Sequence, residues 1–172
     1  MSKLALIKTK IIAGNQLTEV VENWKSEAQR VVFTNGVFDL LHRGHIEYLS
    51  QAADFGDKFI VAINADESVK KLGKGKNRPL QDEKSRALII AALEFVDAVV
   101  IFNKDTPLEL ISAINPDVLI KGGDYDSTVD DNSSSKYIVG SDVVKNKGGI
   151  VEVIQFVEGY STSIIEKRIK ED

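Results

Sequence analysis

Short runs of almost unbroken apolar residues, many of them β-branched, recur along the chain at Val31–Phe33, Phe59–Ile63, Ala98–Phe102 and Val118–Ile120, with a more alternating stretch at Val151–Val157. A strand that is apolar on both sides must be covered on both sides, which is the situation of a parallel sheet between two layers of helices. The intervening segments have helical character. Ile46–Phe55 places Ile46, Leu49, Ala52, Ala53 and Phe55 near helical spacing. Glu83–Phe95 encloses the run Ala87–Leu93, whose length and alanine content favour a buried helix over a strand. Pro107 sits where a first helical turn tolerates proline, ahead of Leu108–Ile114, and Ser161–Ile169 opens on hydroxyl residues suited to capping. Alternation of strand and helix predicts an α/β fold: a Rossmann-like three-layer αβα sandwich with a mostly parallel five-stranded sheet.

The opening residues do not follow this alternation. They predict a helical extension over residues 1–29, with Gln16–Ala28 amphipathic and Val20, Val21 and Trp24 on its apolar side. The sheet domain then occupies residues 30–172, and the polar, serine-rich stretch Thr128–Ser135 reads as a mobile loop within it.

Composition narrows the function. A net charge of -4 argues against a nucleic-acid binder while leaving room for a local basic pocket. The absence of cysteine excludes disulfides, thiolate nucleophiles and Cys-ligated zinc. The apolar patch Leu4–Ile7 is cut off by Lys8 and Lys10, unlike a signal peptide, and no run approaches the ~20 apolar residues of a membrane span. A cytoplasmic protein with no membrane partner is expected.

In a parallel sheet every strand ends at the same edge, and ligands bind there. Thr34–His45, Asn64–Arg78, Lys121–Asp126 and Glu158–Ser163 should therefore converge on one rim. The first carries both histidines of the chain, His42 and His45, three apart and so on one face of a helix start, with Gly44 between them. That start offers free N–H groups and the positive end of a helix dipole, a setting for phosphate. Incidental histidines in a structural turn, or a metal site completed by Asp39, are the competing readings. The second segment holds Lys70, Lys71, Lys74, Lys76 and Arg78 around Gly73 and Gly75, either a solvated loop or a lid that brings lysines onto a triphosphate. In the third, Gly122-Gly123 suits either close backbone approach to a ligand or a plain tight turn. In the fourth, Ser161 and Thr162 can cap the last helix, bind phosphate, or do both.

His42-Arg43-Gly44-His45, preceded by Gly36-Val37-Phe38-Asp39-Leu40-Leu41, resembles the HxGH signature of the cytidylyltransferase-like nucleotidyltransferases, and Tyr160–Ile165 resembles their second motif. Within that superfamily, Phe33–Gly36, Val61–Asp66, Asn77-Arg78-Pro79, Ala92–Asp97 and Ile120–Tyr125 are similar to the D-glycero-β-D-manno-heptose 1-phosphate adenylyltransferases. Val37 stands where those enzymes usually have cysteine, and Thr128–Tyr137 is longer than their usual stretch.

The resemblance implies transfer of AMP from ATP to a sugar 1-phosphate, with Mg²⁺ accompanying the triphosphate and no metal site built from protein. It implies catalytic roles for His42, His45 and Lys71. Nucleotide contacts would come from Thr34, Asn35, Gly36, Phe38, Gly44, Arg86, Lys121, Gly122, Asp124, Tyr160, Ser161 and Thr162. Asp39, Asn64, Asp66 and Lys70 would hold the sugar phosphate. A homodimer is the implied assembly. CTP with glycerol 3-phosphate or another polyol phosphate is the alternative chemistry, and a nucleotide-binding module without turnover is the non-enzymatic one.

Overall fold

The pattern of burial along the strands shows why the chain needs two helical layers. In the computed structural model, which describes residues 1–73, 77–123 and 125–171, β1 (Val31–Gly36) sends Val31 and Phe33 to one face of the sheet and Val32 to the other. β2 (Lys58–Asn64) does the same with Ile60 and Ala62 against Phe59, Val61 and Ile63. Side chains of a strand alternate between faces, so strands apolar throughout supply two cores at once.

β3 (Ala98–Phe102), β4 (Val118–Gly122) and β5 (Ile150–Ile154) complete a five-stranded sheet in the order β3-β2-β1-β4-β5. Every pairing is parallel, with Phe33 opposite Ile60 on one side and Leu119 on the other. α3 (Arg43–Ala53) and α5 (Glu83–Ala91) cover one face through Leu49, Ala52, Ala87 and Ile90. α2 (Gly14–Ser26), α6 (Leu108–Ile114) and α7 (Ser141–Asn146) cover the other through Leu17, Val21, Ile111, Ile114 and Val144. Sandwich, strand number and parallel direction match the sequence expectation.

Several local features differ from it. α1 (Lys3–Thr9) is a separate helix, and the segment after it lies along the outer edge of β3: Ile12 N–H donates to the Val99 carbonyl at 2.8 Å, and Val99 N–H to the Lys10 carbonyl at 2.8 Å. The opening residues thus cover a sheet edge that would otherwise present unpaired backbone groups. The buried side of α2 centres on Leu17 and Val21, with Val20 and Trp24 half-buried. Asp66–Lys71, expected as loop, is helix α4, because Asp66 and Glu67 at its start and Lys70 and Lys71 at its end complement the helix dipole. β5 stops at Ile154, short of Val157, and α7 has no counterpart in the expected elements. α8 (Thr162–Lys170) closes the described fold.

Candidate active site

The strand order reverses between β1 and β4: β2 and β3 follow β1 on one side, and the chain then returns to place β4 and β5 on the other. In sheets of this kind a switch point is where the ligand crevice lies, beyond the ends of the strands. Three polar ties hold it together. Thr34 Oγ1 lies 2.6 Å from the Tyr48 hydroxyl and donates to the Ile120 carbonyl at 3.0 Å, joining β1, α3 and β4 beneath the crevice. Lys121 Nζ donates to Asn35 Oδ1 at 2.8 Å, joining the two strand ends. Tyr48 is buried, and burial pushes its hydroxyl well above the ordinary tyrosine value, so it stays protonated as a structural donor.

His42 and His45 stand at the β1-side wall. Their rings stack with centroids 3.8 Å apart and an interplanar angle of 24°, and Phe38 meets His45 edge-on at 5.4 Å. His42 is the N-cap of α3, with no side chain capping the helix start. Gly44 has little room around it: a Cβ at that position would stand 3.2 Å from the His42 ring and 3.2 Å from Tyr160 Cβ, so a neighbour would have to give by a few tenths of an ångström. Gly36 has a similar constraint, since a Cβ would meet the Phe38 ring at 2.8 Å. Burial lowers the His45 value to about 4, helped by His42 alongside and opposed by the Leu40 backbone; burial lowers His42 as well. Both imidazoles are therefore neutral at pH 7, and the Nδ1 atoms of both are buried with no protein partner among the described residues. Two neutral donor–acceptor rings next to an uncapped helix start have the chemistry to hydrogen-bond an anion.

The opposite wall comes from β4, β5 and α8. Gly122 and Gly123 lie under the Phe156 ring, where a Cβ would stand 2.4 Å and 2.5 Å from ring atoms. Phe156 in turn packs edge-on against Tyr48 at 6.0 Å. Ser161 Oγ caps α8 by accepting from Ile164 N–H at 3.2 Å, and Thr162 follows on its first turn. Arg43 Nη1 donates to the Tyr160 hydroxyl at 3.1 Å, which links the start of α3 to the segment before α8. His42, His45, Gly44, Asn35, Gly36, Lys121, Gly122, Tyr160, Ser161 and Thr162 are thus gathered around one crevice, as the segment pattern predicts.

Other sequence-selected residues are placed elsewhere. Thr34 is inside the core, and Phe38 is buried with a left-handed φ of 49°. Arg86 is 0% exposed, and its guanidinium donates to Gln81 O, Val37 O and Asp66 Oδ1. It braces the rim from inside and does not reach the open surface. Asp39 accepts from Leu80 N–H, Gln81 N–H and Arg78 Nη1. Burial would raise its carboxyl, but these donors outweigh that and hold it below the usual carboxylate range. The Asp39 carboxylate is thus taken up by the loop before α5, and among the described residues no group of three or more His, Cys, Asp or Glu side chains is arranged to hold a metal ion. Asn64 is buried and donates to Ser68 Oγ at 3.0 Å. Lys71 pairs with Asp105 beyond β3 at 3.4 Å, and Lys70 is exposed. Lys74, Gly75, Lys76 and Asp124 lie outside the described residues.

A second concavity, on the β2–β3 side of the rim, is lined by Asp66, Glu67, Asp82 and Glu83 with Lys84 and Asn103. Its excess of carboxylates opposes a triphosphate, which favours the β1–β4 crevice. Sequence reasoning missed the Tyr48–Thr34 brace, the Phe156 cover and the contacts of Arg78 described below. These are tertiary pairings between distant segments, and only Arg78, through the Asn77-Arg78-Pro79 resemblance, carried any sequence signal.

The crevice geometry coincides with a family match. The cytidylyltransferase-like model fits residues 33–168, which include both walls. The chain belongs to the cytidylyltransferase-like family. Among curated relatives of this family member, the protein named bifunctional protein HldE of Koribacter versatilis is 48% identical over 161 residues, covering 93% of this chain and 31% of the relative. That of Wolinella succinogenes is 45% identical, covering 94% of this chain and 31% of its own. The chain spans about a third of the length of these relatives. The solved lipopolysaccharide core biosynthesis protein of Thermoplasma volcanium is similar with a TM-score of 0.57 and 27% identity, over 77% of this chain and 99% of that one. Pantoate-beta-alanine ligase of Francisella tularensis, with a TM-score of 0.58 but 15% identity over 93% of this chain and 76% of the other, shares the fold.

Proposed function

We propose that this chain is a nucleotidyltransferase that moves AMP from ATP onto D-glycero-β-D-manno-heptose 1-phosphate, releasing pyrophosphate and forming the ADP-sugar. The observation that carries the reading is the stacked, neutral His42–His45 pair at the uncapped start of α3, beyond the end of β1. The segment likeness to heptose 1-phosphate adenylyltransferases and the identity with the HldE proteins over nearly the whole chain support the choice of substrates.

In this reading a phosphate oxygen of the sugar attacks the α-phosphorus of ATP. A new O–P bond forms on one side while the bond to the bridging oxygen of the β-phosphate breaks on the other, and pyrophosphate carries off the electron pair. His42 and His45 donate hydrogen bonds to the phosphates as charge builds up, a form of catalysis by preorganised dipoles. The first turns of α3 and α8, with Gly44, Ser161 and Thr162, hold the phosphate tail. Asn35, Gly36, Lys121 and Gly122 line the base and ribose, with Tyr160 at the margin. Mg²⁺ enters with ATP as part of the substrate.

Lys71 contributes only after α4 swings from the Asp105 side toward the crevice, Lys70 moving with it. Asn64 and Asp66 shape the rim on that side, and Arg86, Thr34, Phe38 and Asp39 act by bracing it. Residues 1–29 serve as a cover for the domain of residues 30–172, the assembly is a homodimer, and the compartment is the cytoplasm, where ATP is abundant. No helix among the described residues is long and apolar enough to cross a membrane.

The test supplies Mg²⁺ and the heptose 1-phosphate with ATP or CTP in separate reactions and identifies the products. ADP-heptose from ATP, with little product from CTP, is the expected outcome. Product from CTP and glycerol 3-phosphate alone would replace the substrates and keep the chemistry, and nucleotide binding without product from any pair would make the chain a binding module.

A further inference from the structure

α8 carries part of the crevice wall, yet little apolar burial holds it in place. None of its residues is buried, and Ile164 and Ile169 are exposed. A helix attached in this way is positioned by whichever polar ties are shielded from water. The Arg43–Tyr160 contact is not, because Arg43 is largely exposed and already pairs with Glu47. Arg78 is different. Its side chain is 13% exposed, Nη1 donates to Asp39 Oδ2 at 2.7 Å, and Nη2 forms an ion pair with Glu166 Oε2 on α8, 3.0 Å away. Asp39 is itself 3% exposed and fixed by the backbone N–H groups of Leu80 and Gln81, while Gln81 Nε2 donates back to the Asp39 carbonyl at 2.7 Å. One planar guanidinium therefore spans two carboxylates from remote parts of the chain. One belongs to the loop that leads into His42 and His45, and the other to the helix that begins at Thr162.

We propose that Arg78 is a positioning residue for the nucleotide site, clasping α8 to the histidine loop through Glu166 and Asp39. The clasp sets the separation of the two walls, and Arg78 touches no reacting atom. Its two-ended guanidinium matters, since a lysine at this position supplies one point charge where two carboxylates on different elements are met by two separate nitrogens. The inference rests on the proposed nucleotide site for its consequence in catalysis and on the structure alone for its effect on α8.

Two readouts keep these apart. Hydrogen exchange on α8 is compared among the wild-type chain, Glu166→Ala and Arg78→Lys, and kcat and KM for ATP are then measured from pyrophosphate release. Glu166 is partly exposed, so Glu166→Ala is expected to keep the fold, which the unchanged exchange of α6 verifies. The expected result is at least ~10-fold faster exchange of α8 in both variants, confined to α8 in Glu166→Ala. KM for ATP should rise by roughly 10-fold with kcat within about threefold of wild type, because the chemical groups remain and only the assembled fraction falls. Glu166→Asp, which restores the charge, should recover part of the loss. Unchanged α8 exchange in Glu166→Ala would overturn the clasp, and faster exchange with unaltered KM and kcat would overturn its role at the site. A wild-type chain that releases no pyrophosphate would contradict the proposed reaction and not the clasp, which the exchange comparison judges by itself.

Discussion

At the scale of single residues, the two histidines combine a fixed place with a tuned protonation state. Stacking at 3.8 Å disfavours two positive rings side by side, and burial brings the His45 value from 6.5 to about 4. A group whose charged form is disfavoured in the fold takes up its proton more readily when unfolded. Stability is therefore fully present above the ordinary value of 6.5 and is lost as pH falls toward about 4. Melting temperature is expected to drop between about pH 7 and about pH 5, and to drop less in His45→Gln. An equal drop in the variant would show that other groups set the dependence. Gly36 makes a steric test of the same wall. Gly36→Ala is expected to cost ~1–3 kcal/mol, measured by denaturant unfolding, because its Cβ would displace the Phe38 ring that supports His45. The residue types at the site were legible in the sequence, since His42, Gly44, His45, Ser161 and Thr162 all reached the crevice. Which of their neighbours face inward was not. Arg86 and Asp39 have the chemistry of ligand-binding groups, and only the fold reveals that backbone and side-chain partners occupy them.

At the scale of elements, contrast in burial separates the parts that hold the fold from those that serve the site. α2 contributes Leu17, fully buried against the β-sheet. Leu17→Ala should lower stability by ~2–5 kcal/mol in a denaturant titration, the cost of a buried cavity, whereas a loss under ~1 kcal/mol would mean that α2 is dispensable to the core. α4 behaves differently. Lys71 is exposed and paired with an exposed aspartate, so Lys71→Ala should alter stability by no more than ~0.5 kcal/mol. If α4 carries the lysine onto the triphosphate, turnover nevertheless falls, by ~10-fold or more; unchanged turnover would remove Lys71 from the mechanism. The sequence indicated the strands and the long helices because both faces of each strand are apolar and the helical spacing is regular. It concealed α4 and α7, which have six residues each, too few for a periodic pattern, and it concealed the pairing of the segment after α1 with the β3 edge, made through backbone atoms that no side-chain pattern records.

At the scale of the whole molecule, the order β3-β2-β1-β4-β5 turns scattered polar segments into a site. Thr34–His45, Lys121–Gly123 and the start of α8 are distant in sequence and meet only because β1 and β4 are neighbours at the switch point. The convergence of strand ends follows from parallel topology and was legible without structure; the closeness of β1 to β4 in particular was not, because strand order depends on how the helices pack. The central claim is that this crevice catalyses nucleotidyl transfer with His42 and His45 at its centre. The direct measurement is the rate of pyrophosphate release, with Mg²⁺, ATP and the heptose 1-phosphate, from the wild-type chain and from His42→Ala and His45→Ala. Release by the wild type and a fall of at least ~100-fold in each variant with the fold intact is the expected result. Near-normal release from both variants would contradict it.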